Sequence, residues 1–491
     1  IFKTFNLSKI RTFPTLLFWR SCLLQPSLTC ESPNPNKMDI GAYILSEYIP
    51  AKPLVGNLEV CFTGKEQTQI DTCAQLRCGE VLKFPFARPD FQPRSVVIKG
   101  NTLLVAADKA TETKRVVELT LESSFDYQPG DTIGIVPSNK PELVEKLLHR
   151  LELKDQADTS CHLKLVLHCA NKSAKLPAHI PTATSPREIL THCLSLCFVP
   201  QKQLLSALAG FTSNERERSF LACLSSKQAT KHYNSLILEQ GLLFMEILKL
   251  CGDCRPPLAF LAEHLPRLLP RPYSIANSPL EAGDQELRII YSLLSHKPGV
   301  TTSMLEARVQ QINPEQPANV VIYPRVNNAF RYTEQDLGSN QILIAVGTGL
   351  APFLGFLAHK EKLISQQPQR ERGHSWLYVG AKTPEAILKR DQLEAWHKSA
   401  VLERLRMCHS RGESPGYVQE MLAEDGEDLV KFILKPETVI YVCADGAKIS
   451  QSIANGLSLC LQKVLHLTEE ESFRQLKELK AQGKYREDVW L

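Results

Sequence analysis

The chain is 491 residues long and 43% hydrophobic, with 57 Lys and Arg against 53 Asp and Glu for a net charge of +4. That length accommodates roughly two to four domains. The charge is too mild to argue for a nucleic-acid or acidic membrane partner, and no apolar run reaches the roughly 18–20 residues of a membrane helix.

The first thirty residues carry Lys3, Lys9, Arg11 and Arg20 and no acid, and the sequence opens on Ile1. A mitochondrial presequence is one reading; the preferred one is a fragment or gene-model edge, with Met38 as a candidate start. Residues 1–90 lack sustained periodicity, and "ESPNPN" (31–36) and "IPAKPLVG" (49–56) read as Pro-rich linker. Alternating strand patterns begin at "RSVVIKG" (94–100) and continue through "RVVELTL" (115–121) and "YQPGDTIGIVP" (127–137), where Pro129-Gly130-Asp131 supplies the turn. Between about 140 and 262 the pattern is helical, and strand patterns return at "RPYSIANS" (271–278), "ELRIIYSLL" (286–294) and "NVVIYPRV" (319–326). The expectation is an antiparallel β-barrel over 91–335, interrupted by a helical insertion. From 336 to 491 short apolar strands alternate with amphipathic helices, which predicts a doubly wound parallel sheet with ligands at the carboxyl ends of its strands.

Several stretches suggest chemistry, each with a blander reading beside it. Gly347-Thr348-Gly349 falls where a strand meets a helix, as a phosphate loop requires, although a Gly-x-Gly alone also makes a plain tight turn. Ser410 and Arg411 end the third strand of this region, followed by Tyr417, Val418 and Gln419. The Arg is either a grip for a ribose phosphate or a solvated surface charge. "RPYS" sets Arg271, Pro272, Tyr273 and Ser274 on one strand, an Arg suiting a pyrophosphate and a Tyr ring suiting a flat cofactor. Gly299, Val300, Thr301 and Thr302 precede a helical run, as an anion cradle or an ordinary cap.

"CHLKLVLHC" (161–169) reads as a strand, because its two His stand about 20 Å apart. "CGDC" (251–254) lacks a second pair for zinc, so no metal site is expected. The 15 cysteines are odd in number and without repeating spacing. A chain of this size needs no disulfides, so the reading is reduced thiols and a cytoplasmic setting. Trp490 stands near the end of "KYREDVWL", where a large ring is either core filler or awaits something flat.

"RPYSIANS", "GVTTSML", "VGTGLAPFLGF", "SRGESPGYVQ", "YVCADGAK" and "YREDVW" stand in the order seen in the diflavin reductases, and residues 95–491 resemble that family. "CRPPLAFLAEHLPRLLPRPYS", "VVIYPRVNNAF" and "YQPGD" most resemble its methionine synthase reductase branch. The resemblance implies hydride transfer from NADPH to FAD, then electrons through FMN to an acceptor, here a cobalamin-dependent methionine synthase. It implies that Arg271, Pro272, Tyr273 and Ser274 hold FAD, with Gly299 to Thr302 at its pyrophosphate. It places Gly347, Thr348, Gly349, Ser410, Arg411, Tyr417, Val418 and Gln419 at NADPH. Ser274, Cys443 and Asp488 would flank the hydride path, with Trp490 stacked on the flavin.

The chain departs from the family pattern at Ala345-Val346, which implies a less open phosphate loop; at Gly416, which weakens the expected 2′-phosphate selectivity; at Lys382, which keeps a charge but loses a bidentate fork; and at Ser452, where an Asp is usual. An FMN domain needs about 150 residues, which 1–90 do not supply, so either the sequence is truncated, or FMN is carried on a separate domain, or electrons leave FAD directly. The alternatives left open are an FAD-holding binding module or chaperone for methionine synthase, and a single-flavin ferredoxin-type reductase.

Overall fold

The computed structural model describes residues 38–66, 84–89, 91, 93–122, 125–166, 174–282, 285–294, 299–312, 317–326, 329–412 and 414–490. They form two compact units, one from 38–54 with 198–254 and one from 55–197 with 255–490. The smaller unit is helical. Its Glu215–Ser225 helix starts at Asn214, whose side chain accepts from the amides of Arg216 and Glu217. Phe220, Leu221 and Leu224 of that helix are fully buried, and Tyr43 meets Phe220 edge-on at 6.5 Å.

In the larger unit, β1 (Leu58–Glu66) pairs antiparallel with β5 (Thr159–Leu165), in register Leu58↔Leu165 to Phe62↔Cys161. The 1–90 stretch is therefore not wholly irregular. The 140–262 insertion likewise holds a strand, β5, which covers the first part of the strand expected over 161–169. His168 and Cys169 of that stretch lie outside the described residues.

Six strands form the barrel: β2 (Arg94–Val105), β3 (Arg115–Glu122), β4 (Thr132–Val136), β6 (Arg271–Ser274), β7 (Glu286–Leu293) and β8 (Asn319–Pro324). Their order is β6-β4-β8-β2-β3-β7, every pairing antiparallel, and a bridge from Ile275 to Ile289 joins the two edges. Val117, Leu119 and Leu121 of β3, Ile133 and Ile135 of β4, and Ile289 of β7 fill the interior without exposure. Burying each such side chain contributes about 1.5–3 kcal/mol. The predicted turn is present: Asp131 accepts from the Gln128 amide at 2.9 Å and from Arg331 at 2.8 Å.

The parallel sheet runs β11-β10-β9-β12-β13, with β9 Asn340–Val346, β10 Ser375–Ala381, β11 Arg404–His409, β12 Thr438–Asp445 and β13 Tyr485–Trp490. Both faces are covered. Ile342, Ile344, Tyr378, Ile440 and Val442 bury on one side, while Leu343, Ala345, Leu377, Val379, Tyr441 and Cys443 bury on the other. The second side also takes Val105, Val116, Ala276 and Ile290, so the barrel packs on that face. Chain order reverses between β9 and β12, which opens a crevice at their carboxyl ends.

Candidate functional site

The glycine loop lies at that crevice. β9 ends at Val346, a 3-10 turn spans Gly347–Leu350, and α2 (Ala351–Gln366) follows; α1 is Val300–Gln310 in the barrel unit. Gly347 has φ +58, a conformation costly to residues with a Cβ, and a Cβ there would meet nothing within 4 Å. Gly349 is held differently. A Cβ on it would run into the carbonyl of Cys443 on β12, so only glycine lets the loop lie against the strand.

A cavity of about 520 Å³ opens beside this loop. Gly347 and Thr348 line one part of it, and Ser410, Tyr417, Val418 and Gln419 line another. The barrel supplies Val105, Thr113, Lys114, Val116 and Ser292 as further wall. The departure positions Lys382, Gly416 and Ser452 all face it too. Arg411 is not among the lining residues. Its guanidinium instead donates to Glu112 Oε2 at 2.6 Å.

The second cluster joins barrel to sheet. Ser274, at the end of β6 and only 4% exposed, donates from Oγ to Asp488 Oδ2 at 3.1 Å. Asp488 stands on β13 directly across from Cys443 on β12, which in turn pairs with Ala345 on β9. Partners in register share a sheet face, so Asp488 and Cys443 both turn toward the barrel side. Burial raises the Asp488 carboxyl above the ordinary range, while the Ser274 hydroxyl and the Arg325 charge pull it partly back. The structure thus unites the predicted Ser274, Cys443 and Asp488. Sequence reasoning did not find Arg325, which follows β8 and bridges to Ala87.

The predicted flavin residues fit a flat, anionic cofactor. Arg271 is exposed at the start of β6, Tyr273 is half-buried, and burial raises its phenol. Tyr273 lies near Tyr291, whose hydroxyl donates to Glu306 of α1 at 2.7 Å, so β6, β7 and α1 share one neighbourhood. Gly299 is the N-cap of α1, with Val300, Thr301 and Thr302 as its first turn. Their amides have no partner within the helix and favour an anion. Thr302 turns its hydroxyl back to the Gly299 carbonyl at 3.1 Å, and Thr301 is buried. The Trp490 side chain lies outside the described residues; its backbone closes β13 across from Asp445.

Residues 98–297 match the FAD binding domain family, and residues 343–448 match the oxidoreductase NAD-binding domain family. Methionine synthase reductase of Rattus norvegicus is 32% identical over 82% of this chain and 62% of its own length. The Homo sapiens protein of that name is 31% identical over 82% and 61%. NADPH–cytochrome P450 reductase of Homo sapiens is 28% identical over 84% and 61%. The chain therefore spans about three fifths of the length of these relatives. The chain thus carries an FAD binding domain followed by an oxidoreductase NAD-binding domain, and along most of its length it is similar to the methionine synthase reductases.

Proposed function

We propose that this chain is an NADPH-dependent flavoprotein reductase that passes a hydride from NADPH to FAD and electrons onward to reactivate a cobalamin-dependent methionine synthase. The observation that carries the reading is the Ser274–Asp488 hydrogen bond, which ties the flavin strand of the barrel to the coenzyme sheet beside the crevice. FAD, when bound, supplies acceptance of two electrons and their release one at a time. The chain's own residues do the positioning. Arg271 and the first turn of α1 would hold the diphosphate, Tyr273 would offer its ring to the flat cofactor, and Gly347 to Gly349 would let the coenzyme phosphates approach. Ser410, Tyr417, Val418 and Gln419 hold the far ribose. Asp488, oriented by Ser274 and beside Cys443, sets the charge at the reacting end.

In this reading residues 91–335 are the flavin domain with its insertion and 336–491 the NADPH domain. An FMN-carrying domain outside residues 91–491 would relay the electrons. Among the described residues no helix is long and apolar enough to cross a membrane. The cysteine usage supports a cytoplasmic site of action.

Mixing purified protein with FAD and NADPH without oxygen should bleach the yellow flavin band. A band that stays would end the reductase reading. Adding an FMN domain and methionine synthase should then restore methionine formation on inactivated cobalamin; flavin bleaching with no transfer would remove that acceptor. By the resemblance to the family, the Trp490 indole would cover the flavin. Trp490→Ala should raise turnover with NADH several-fold, and unchanged NADH turnover would mean that the ring does not gate the site.

A further inference from the structure

The β2–β3 hairpin carries Glu112 to the two cations that flank Ser410. Arg411 donates to the Glu112 carboxylate at 2.6 Å, and Lys382 donates to its main-chain oxygen at 2.7 Å, with its Nζ 3.7 Å from the carboxylate. Lys114, from the same hairpin, adds its charge to the group. Ser410, Lys382, Thr113 and Lys114 all line the cavity, so the Glu112 carboxylate stands at its rim.

The hairpin holds this position firmly. Asp108 accepts from the Ala110 amide at 2.9 Å and the Thr111 hydroxyl at 2.7 Å, and its own amide donates to Thr113 at 3.1 Å. Glu112 has φ +52, a left-handed conformation that a long side chain adopts at a cost and that the surrounding contacts must maintain. An exposed ion pair contributes little stability. Its location is what matters: Arg411 and Lys382 are the bidentate and point-charge donors that a phosphate on the far ribose would seek.

We propose that Glu112 is a coenzyme-selecting residue: its carboxylate occupies, from the barrel hairpin, the cations that a 2′-phosphate needs, so a 2′-phosphorylated dinucleotide binds only by displacing it. The inference rests on the dinucleotide reading of the cavity. A ribose with a free 2′-hydroxyl asks for no such displacement, so Glu112 narrows the advantage of the phosphorylated coenzyme. The chemistry is competition between a carboxylate and a phosphate for the same guanidinium and ammonium, and salt weakens it.

The test measures binding of 2′,5′-ADP and 5′-ADP to the purified chain by titration calorimetry. Glu112→Gln should tighten 2′,5′-ADP about two- to fivefold while 5′-ADP does not tighten. The gain should shrink as ionic strength rises. Glu112→Gly, which suits the positive φ and preserves the turn, should give the same selective gain. If 2′,5′-ADP affinity is unchanged or falls in both variants, Glu112 is a strut that orders Arg411, and the proposal fails while the coenzyme site stands. If the parent binds neither nucleotide, the dinucleotide reading fails and takes the proposal with it.

Discussion

Asp488→Asn should slow anaerobic flavin bleaching by NADPH on the order of 10- to 100-fold while leaving FAD bound. As NADPH gives up its hydride, its nicotinamide ring becomes cationic. A carboxylate held beside that ring would stabilise the developing charge, by less than the roughly 10²–10³ in rate that a preorganised oxyanion-hole donor supplies. Asp488 is suited to the task because it is half-buried and oriented by a hydroxyl, Ser274 Oγ at 3.1 Å. The pH dependence follows from its environment. Burial raises its carboxyl, so it takes up a proton at a higher pH than an ordinary Asp. The rate should therefore fall as pH drops through that raised value, and the fall should vanish in Asp488→Asn. Ser274→Ala removes a contact that favours the charged form, so it should move the acidic fall to higher pH. Stopped-flow absorbance gives the rate, and flavin fluorescence reports retention. Loss of FAD from Asp488→Asn, or an unaltered pH profile in Ser274→Ala, would make these residues structural only.

What the sequence revealed and what it concealed divide along chain distance. "QILIAV" is apolar at nearly every position because both faces of β9 are covered, and that local signal was readable. The glycine loop was readable for the same reason, since a strand, two glycines and a helix follow one another directly. Ser274 and Asp488 lie 214 residues apart, and the resemblance, not any spacing, brought them together beforehand. Glu112 and Arg411 lie 299 residues apart, and nothing local to "TET" (111–113) points to a coenzyme. β1 escaped notice because Leu58 is its one deeply buried apolar residue and its strand partner is β5, far along the chain. β13 was legible as a terminal motif but not as a strand. Its identity comes from the ladder with β12, from Ile440↔Tyr485 to Asp445↔Trp490.

Gly349→Ala should be among the most damaging single-methyl changes in the sheet. The added Cβ would meet the carbonyl oxygen and carbon of Cys443 and the amide nitrogen of Ala444, all main-chain atoms. A side-chain tip could swing away, but β12 is hydrogen-bonded to β9 on one side and β13 on the other. Relief would require the loop to lift or the central strand to shift, and overpacking of this kind costs about 1–3 kcal/mol. Either movement also disturbs the site, because Cys443 sets the register of Asp488 and the loop begins α2. Gly347 provides the contrast two residues earlier. A Cβ there has open space, and only its φ of +58 resists substitution. Asn tolerates that conformation, so Gly347→Asn should be nearly neutral in stability. Urea denaturation and 5′-ADP titration on both variants decide the matter. The expected result is a lower midpoint and weakened nucleotide binding for Gly349→Ala, with Gly347→Asn close to the parent midpoint. Equal midpoints for Gly349→Ala and the parent would mean that the loop stands off β12, and the crevice described between β9 and β12 would have to be redrawn.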